Sequence, residues 1–137
     1  MFLALAQSGL NNVRVYCHDA VEVLAHCIPD HSLQKILILF PDPWPKKRHY
    51  KRRLISADFI ATLLPKLEPK GILHLATDWQ DYAEHMLQVV SEFTELHNLA
   101  EDGKFLQGEK LRPITKFEQR GKQLGHAIFD IVLRSRK

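Results

Sequence analysis

The stretch that decides the fold is ILILFPDPWPKKRHYKRR, residues 36–53. Its first five residues are apolar and end at a turn, a pattern typical of a strand buried on both faces of a parallel sheet. Prolines at positions 41, 43 and 45 then fix the backbone around Asp42 and Trp44. A strand and a rigid turn therefore lead directly into the basic run, residues 46–53.

Strands and helices alternate on both sides of this stretch. Apolar and β-branched content predicts strands at residues 13–17, 36–40, 71–76, 95–99 and 127–133. Helical periodicity predicts helices at residues 19–27, 52–64 and 82–93. Such alternation implies right-handed crossovers, so we expect an α/β fold with a doubly wound, mostly parallel sheet and an antiparallel C-terminal edge.

Length and composition limit the class of protein. The chain has 137 residues and a 45% apolar fraction, which indicates one globular domain over residues 1–137. No apolar run approaches the roughly 20 residues of a membrane helix. Two cysteines do not form a secreted disulfide framework, so we predict a cytoplasmic protein. The histidines are scattered, and we predict no metal; neither a glycine-rich dinucleotide loop, a phosphate loop nor a nucleophile elbow is present.

The basic run is the main electrostatic feature. Six of its eight residues are Lys or Arg, whereas the whole chain has a net charge of only +3. Localised positive charge beside a fixed loop indicates a polyanion, most commonly nucleic acid. The alternative is a solvated helix start, which is disfavoured because cations there oppose the helix dipole. A second basic segment, residues 112–122, is either a surface loop or an RNA contact.

Three carboxylates follow the first three predicted strands: Asp19, Asp42 and Asp78. The carboxyl ends of parallel strands share one edge of the sheet, where ligands bind. Asp19 begins a capping-box pattern, so taken alone it favours helix capping. Asp78 fits capping and function equally. Asp42 lies between prolines where no regular helix begins, which favours function; Trp44 beside it fits a base-stacking role better than a core position.

Three stretches of the chain resemble the bacterial tRNA (guanine-N7)-methyltransferase family, a class I S-adenosylmethionine-dependent group. They are residues 40–53, the run HLATDW at residues 74–79, and TKFE at residues 115–118 with Gly121 and His126 after it. They occur in the family's order, and the resemblance extends from about Leu10 to the C-terminus. It implies a Rossmann-like methyltransferase sheet and methyl transfer from S-adenosylmethionine to N7 of a guanine in the tRNA variable loop.

The resemblance also assigns residues. Asp42 falls at the catalytic position, and Asp19 and Asp42 at positions that contact the cofactor. The implied substrate-binding residues are Lys46, Asp78, Thr115, Lys116, Phe117 and Glu118. The implied RNA-binding residues are Arg48, His49, Tyr50, Lys51, Arg52 and Arg53. The implied partner is tRNA, bound by a monomer or homodimer.

The chain departs from the family in one respect. The family has upstream strands and a glycine-rich loop that cradles the methionine part of the cofactor, and these are missing here. We therefore expect the chain alone to bind S-adenosylmethionine weakly, to be nearly inactive and to self-associate through exposed core and sheet edge. The competing interpretation is a non-enzymatic RNA-binding module, or an inactive fragment that kept the tRNA-binding face. It explains the three carboxylates less well, because acids weaken phosphate binding.

Overall fold

A computed structural model describes residues 6–107 and 112–137. Its helices are α1 (Ala20–Cys27), α2 (Ala57–Leu63), α3 (Gln80–Ser91) and α4 (Lys116–Gln123), and two 3-10 helices span Lys47–Arg52 and Leu64–Lys66. Its strands are β1 (Leu33–Leu39), β2 (Leu67–Thr77), β3 (Leu96–Asn98) and β4 (Phe129–Ser135). The predicted α/β class is confirmed by this order.

The four described strands form one mixed sheet in the order β1-β2-β4-β3. β1 and β2 are parallel, with Leu39 paired to Ala76. β4 runs antiparallel to both β2 and β3, so the antiparallel side of the sheet is confirmed. β4 lies inside the sheet rather than at its margin, because the short β3 covers its outer edge.

The core lies between one sheet face and helices α2 and α3. Leu73 and Leu75 of β2 pack with Ile131 of β4, and the helices contribute Ile60 and Met86, among other apolar side chains. Burial of each such side chain contributes roughly 1.5–3 kcal/mol. α4 is tied to the opposite face through Glu118, so helices occupy both sides of the sheet.

Residues 13–17 do not form the predicted strand. This segment pairs with none of the four described strands, and its apolar side chains Val13 and Tyr16 are exposed. β-branched and aromatic residues favour a strand only where a sheet offers a pairing edge and a surface to pack on. For the same reason β1 is not buried on both faces: Leu37 is 42% exposed.

The predicted helix over residues 52–64 is also wrong at its start. The backbone at Arg53 and Ser56 is extended, and α2 begins only at Ala57. The Ser56 side chain accepts a hydrogen bond from the Phe59 amide at 3.2 Å, a regular N-cap that sets the start of the helix. The segment at 112–122, for which a surface loop was one alternative, contains helix α4 instead.

Candidate active site

Asp42 and Asp78 meet at one edge of the sheet, as predicted. β1 and β2 are parallel neighbours, Asp78 follows β2 directly, and Asp42 follows β1 after two residues. Asp19 does not follow a strand, since residues 13–17 form none. It caps α1, where its Oδ1 accepts from the Val21 amide at 2.8 Å, so the capping interpretation of Asp19 is confirmed.

The loop that carries Asp42 has a constrained backbone. The Phe40 amide donates to the Ala76 carbonyl at 2.8 Å, which holds the start of the loop against β2. Phe40 and Trp44 have φ values of +54° and +42°, a left-handed region that bulky residues rarely adopt. Asp42 lies between them, exposed, and its carboxylate accepts no hydrogen bond from the described residues. The loop therefore presents a free acceptor to solvent.

The basic run forms its own 3-10 helix beside this loop. Lys46, which precedes it, and Lys47, Arg48, Lys51 and Arg52 within it are exposed. The helix-dipole argument fails for this run, because α2 starts later, at Ala57, with Asp58 in its first turn. The exposed cations form a continuous positive margin, and Arg53 differs from them because it is buried.

Trp44 packs against this 3-10 helix. Its ring makes an edge contact with His49 at 5.7 Å between centroids, and the Arg52 guanidinium lies 5.0 Å from its ring centroid. Trp44 is half-buried, so it is not a core anchor. A cation over an indole face is a favourable contact, which further restricts the loop.

The segment of residues 115–118 reaches the same edge. The Phe117 ring lies 5.0 Å from the Phe40 ring and is 54% exposed, and Lys116 is exposed beside it. Thr115 caps α4 by accepting from the Glu118 amide at 3.0 Å. After the helix, His126 Nδ1 lies 3.7 Å from Asp78 Oδ2. The structure thus brings together Asp42, Asp78 and the 115–118 segment, whereas Asp19 caps α1.

A buried ionic network underlies this edge, and the sequence did not reveal it. Arg112 donates to Glu118 at 2.7 Å and to Asp130 at 2.7 and 3.2 Å. Burial disfavours the Arg112 charge, but the hydrogen bonds that Arg112 donates to the carboxylates of Asp130 and Glu118 outweigh this effect and raise the pKa of Arg112. His74 Nε2 lies 2.7 Å from Asp130. The available signal was Asp130, an acid within the otherwise apolar run of residues 127–133, because a buried charge requires a partner.

Glu118, which is predicted to bind substrate, has a structural partner within the protein. Its Oε2 accepts from Arg112, while its buried Oε1 accepts no hydrogen bond. The Lys122 ammonium lies 3.7 Å from that oxygen and is half-exposed. Glu118 fixes the first turn of α4, which carries Phe117 and Lys116 toward the Asp42 loop.

Residues 6–107 and 112–137 show neither a membrane-spanning helix nor a metal-binding cluster. None of the helices there has both the length and the apolar character needed to cross a membrane. These residues also bring together no group of three or more His, Cys, Asp or Glu side chains that could hold a metal ion.

The family model described as "Putative methyltransferase" matches residues 2–131. The tRNA (guanine-N(7)-)-methyltransferase of Pseudomonas aeruginosa strain PAO1 is 53% identical over 127 residues, covering 93% of this chain and 52% of the relative. The enzyme of that name from Alcanivorax borkumensis is 47% identical over 136 residues, covering 99% and 57%. The chain thus spans about half the length of the curated relatives it matches.

Solved structures show the same fold. A methyltransferase homolog protein from Pyrococcus horikoshii aligns with a TM-score of 0.60 at 15% identity, covering 98% of this chain and 48% of that one. A SAM-dependent methyltransferase from Archaeoglobus fulgidus aligns with a TM-score of 0.50 at 11% identity, covering 98% and 80%. These alignments confirm the Rossmann-like α/β fold class.

Proposed function

Because this chain belongs to the methyltransferase family whose model it matches, we propose that it forms the tRNA-facing part of a tRNA (guanine-N7)-methyltransferase. The reaction moves a methyl group from S-adenosylmethionine to N7 of a guanine in the tRNA variable loop. The observation that carries the proposal is Asp42, a free carboxylate on a constrained loop beside an exposed basic helix. The relatives' names support the substrate.

Guanine N7 has a lone pair, so the reaction requires positioning rather than a strong base. The Asp42 carboxylate can accept hydrogen bonds from guanine N1–H and the 2-amino group. Its charge also favours the positive charge that appears on a guanine methylated at N7. Phe117, exposed beside Phe40, offers an aromatic face for a base that has left its stack.

The exposed cations supply the RNA contact in this proposal. Lys46, Arg48, Lys51 and Arg52 neutralise phosphates and position the tRNA, while Lys46, Asp78 and residues 115–117 contact the target nucleotide. Glu118 is completely buried and supports this segment from the interior. His49 and Tyr50 are half-buried and contribute mainly to the shape of this margin.

The described residues fit S-adenosylmethionine only in part. The carboxylates of Asp19 and Asp42 suit hydroxyl and ammonium groups. The cofactor's own carboxylate requires backbone N–H donors that approach it closely. Apart from the adjacent residues, no atom lies within 4 Å of a Cβ placed at Gly9, Gly103 or Gly125, so none of these glycines marks such a close approach. S-adenosylmethionine supplies the methyl group when bound, and we expect this chain alone to bind it weakly.

The test is a fusion in which the first part of the Pseudomonas aeruginosa relative precedes this chain. We expect the fusion to form N7-methylguanine in an unmodified tRNA transcript, detected by chain cleavage at the modified base. Asp42→Asn should lower kcat by about 100-fold while tRNA affinity persists. A fusion that binds tRNA but forms no N7-methylguanine would instead support the RNA-binding module, and normal turnover in Asp42→Asn would remove Asp42 from the mechanism.

A further inference from the structure

Arg53 is the last cation of the basic run, yet its surroundings differ from those of its neighbours. We propose that Arg53 is a positioning residue, which holds the loop carrying Asp42 in its constrained conformation and does not contact RNA. The role assigned to that loop rests on the proposed function. The contacts of Arg53 themselves do not.

The Arg53 guanidinium is directed into the protein. Its Nε donates to the Pro43 carbonyl at 2.8 Å, and its Nη2 donates to Asp81 Oδ2 at 2.8 Å. Its Cζ lies 3.9 Å from the Tyr50 ring centroid and 4.8 Å from that of Tyr82. Only 2% of the side chain is exposed. The group is therefore enclosed by two aromatic rings, a carbonyl and a carboxylate.

The hydrogen bond to Pro43 acts where the loop is most strained. The Pro43 carbonyl belongs to the peptide unit that joins Pro43 to Trp44, and rotation of this unit changes the φ of Trp44. That φ is +42°, a conformation that costs on the order of 1–3 kcal/mol and persists only where surrounding contacts enforce it. Arg53 supplies such a contact one residue after Asp42.

The other end of this connection is fixed in the core. Asp81 and Tyr82 belong to α3, and Tyr82 is fully buried with its hydroxyl accepting from the Ile55 amide at 3.1 Å. Tyr50 also donates to Asp81 Oδ2, at 3.2 Å. Arg53 therefore transmits the rigidity of α3 to the Asp42 loop.

The same geometry separates Arg53 from the RNA-binding residues. A phosphate could approach the guanidinium only after displacing the Tyr50 ring or Asp81. Lys51 and Arg52 are exposed and need no such rearrangement. The carboxylate of Asp81 also offsets the charge of Arg53, so it adds little to the positive margin.

The experiment compares Arg53→Gln with Arg48→Gln, a matched change at an exposed arginine, in a Trp79→Phe background that leaves Trp44 as the single tryptophan. We measure Trp44 emission and the salt dependence of tRNA binding. Arg48→Gln should lower the slope of log K against log salt by about 1 and leave Trp44 emission unchanged. Arg53→Gln should shift Trp44 emission and leave the slope unchanged.

A second variant covers the case in which Arg53→Gln does not fold. Arg53→Lys keeps the charge, but a single ammonium cannot reproduce the fork that reaches both Pro43 and Asp81. We expect it to shift Trp44 emission with an unchanged salt slope, and in the fusion to lower kcat with little change in the KM for tRNA. The proposal is overturned if Trp44 emission is unchanged in both variants, or if Arg53→Gln lowers the slope as much as Arg48→Gln. Should the native chain not bind tRNA, the proposed function fails, and Trp44 emission still decides the role of Arg53.

Discussion

Arg112 and Glu118 form an ion pair of 2.7 Å in which both side chains are completely buried. Asp130 binds the same guanidinium from the sheet, so one cation compensates two buried carboxylates. Arg112→Met should lower the free energy of unfolding by about 3–5 kcal/mol, because both carboxylates lose their partner. Urea denaturation measures the change.

Lys122→Met is the matched control. This lysine lies 3.7 Å from Glu118 but its side chain is half-exposed, so we expect a change of less than about 0.5 kcal/mol. Equal stability of Arg112→Met and the native chain would show that the buried network contributes nothing.

The capping role of Asp19 can be tested by substitution. Asn caps helices as well as Asp, so Asp19→Asn should leave α1 intact, whereas Asp19→Ala should cost about 1 kcal/mol. Because α1 buries none of its residues, local opening reports this better than global unfolding. Amide hydrogen exchange at Val21 and Val23 is the measurement. Equal protection in the Asn and Ala variants would contradict the capping role.

Asp81 should contribute to stability in a pH-dependent manner. A hydrogen bond from Arg53 is the main cause that lowers the pKa of Asp81 from its ordinary 3.8. The folded-state pKa lies below the unfolded one, so the stabilisation is present above about pH 3.8 and is lost as the pH falls through the folded value. Asp81→Asn should be less stable than the native chain at neutral pH, and the two curves should converge in acid.

A double-mutant cycle provides the control for that prediction. In an Arg53→Gln background, Asp81→Asn should change the pH dependence of unfolding less than in the native chain, because only the hydrogen bond from Tyr50 remains. A difference of undiminished size in this background would mean that Arg53 is not the main group that perturbs Asp81.

Self-association should depend on β1, the terminal strand of the described sheet. Leu37 is 42% exposed on this strand, and an apolar side chain on an edge strand favours pairing with a second copy. Leu37→Lys should raise the concentration at which oligomers form, with little change in Tm. Sedimentation velocity tests this prediction. The control is Gln34→Lys, which adds the same charge at an exposed polar position of the same strand. Identical oligomerisation of the Leu37 variant and the native chain would exclude the β1 edge.

The sequence was sufficient to predict those features whose signal lies in neighbouring residues. β2 and α3 follow from their own apolar patterns, and Asp42 and Asp78 were placed at one edge because parallel strands impose it. Residues 13–17 have an equally strong strand composition, but a strand also requires a neighbour. Arg52 and Arg53 cannot be distinguished in the sequence, since the burial of Arg53 depends on Asp81, 28 residues away. The contact between His74 and Asp130 spans 56 residues.

The central place of β4 has a consequence for the synthesis of the chain. β2 and β3 are joined only through β4, whose residues follow those of every other described strand in the chain. A nascent polypeptide that has not reached Phe129 holds a parallel pair and an isolated short strand, with Leu73 and Leu75 lacking the partners that β4 brings. The described sheet can therefore be completed only after Ser135 has been synthesised, and until then the incomplete chain presents apolar surface to chaperones and to other nascent chains.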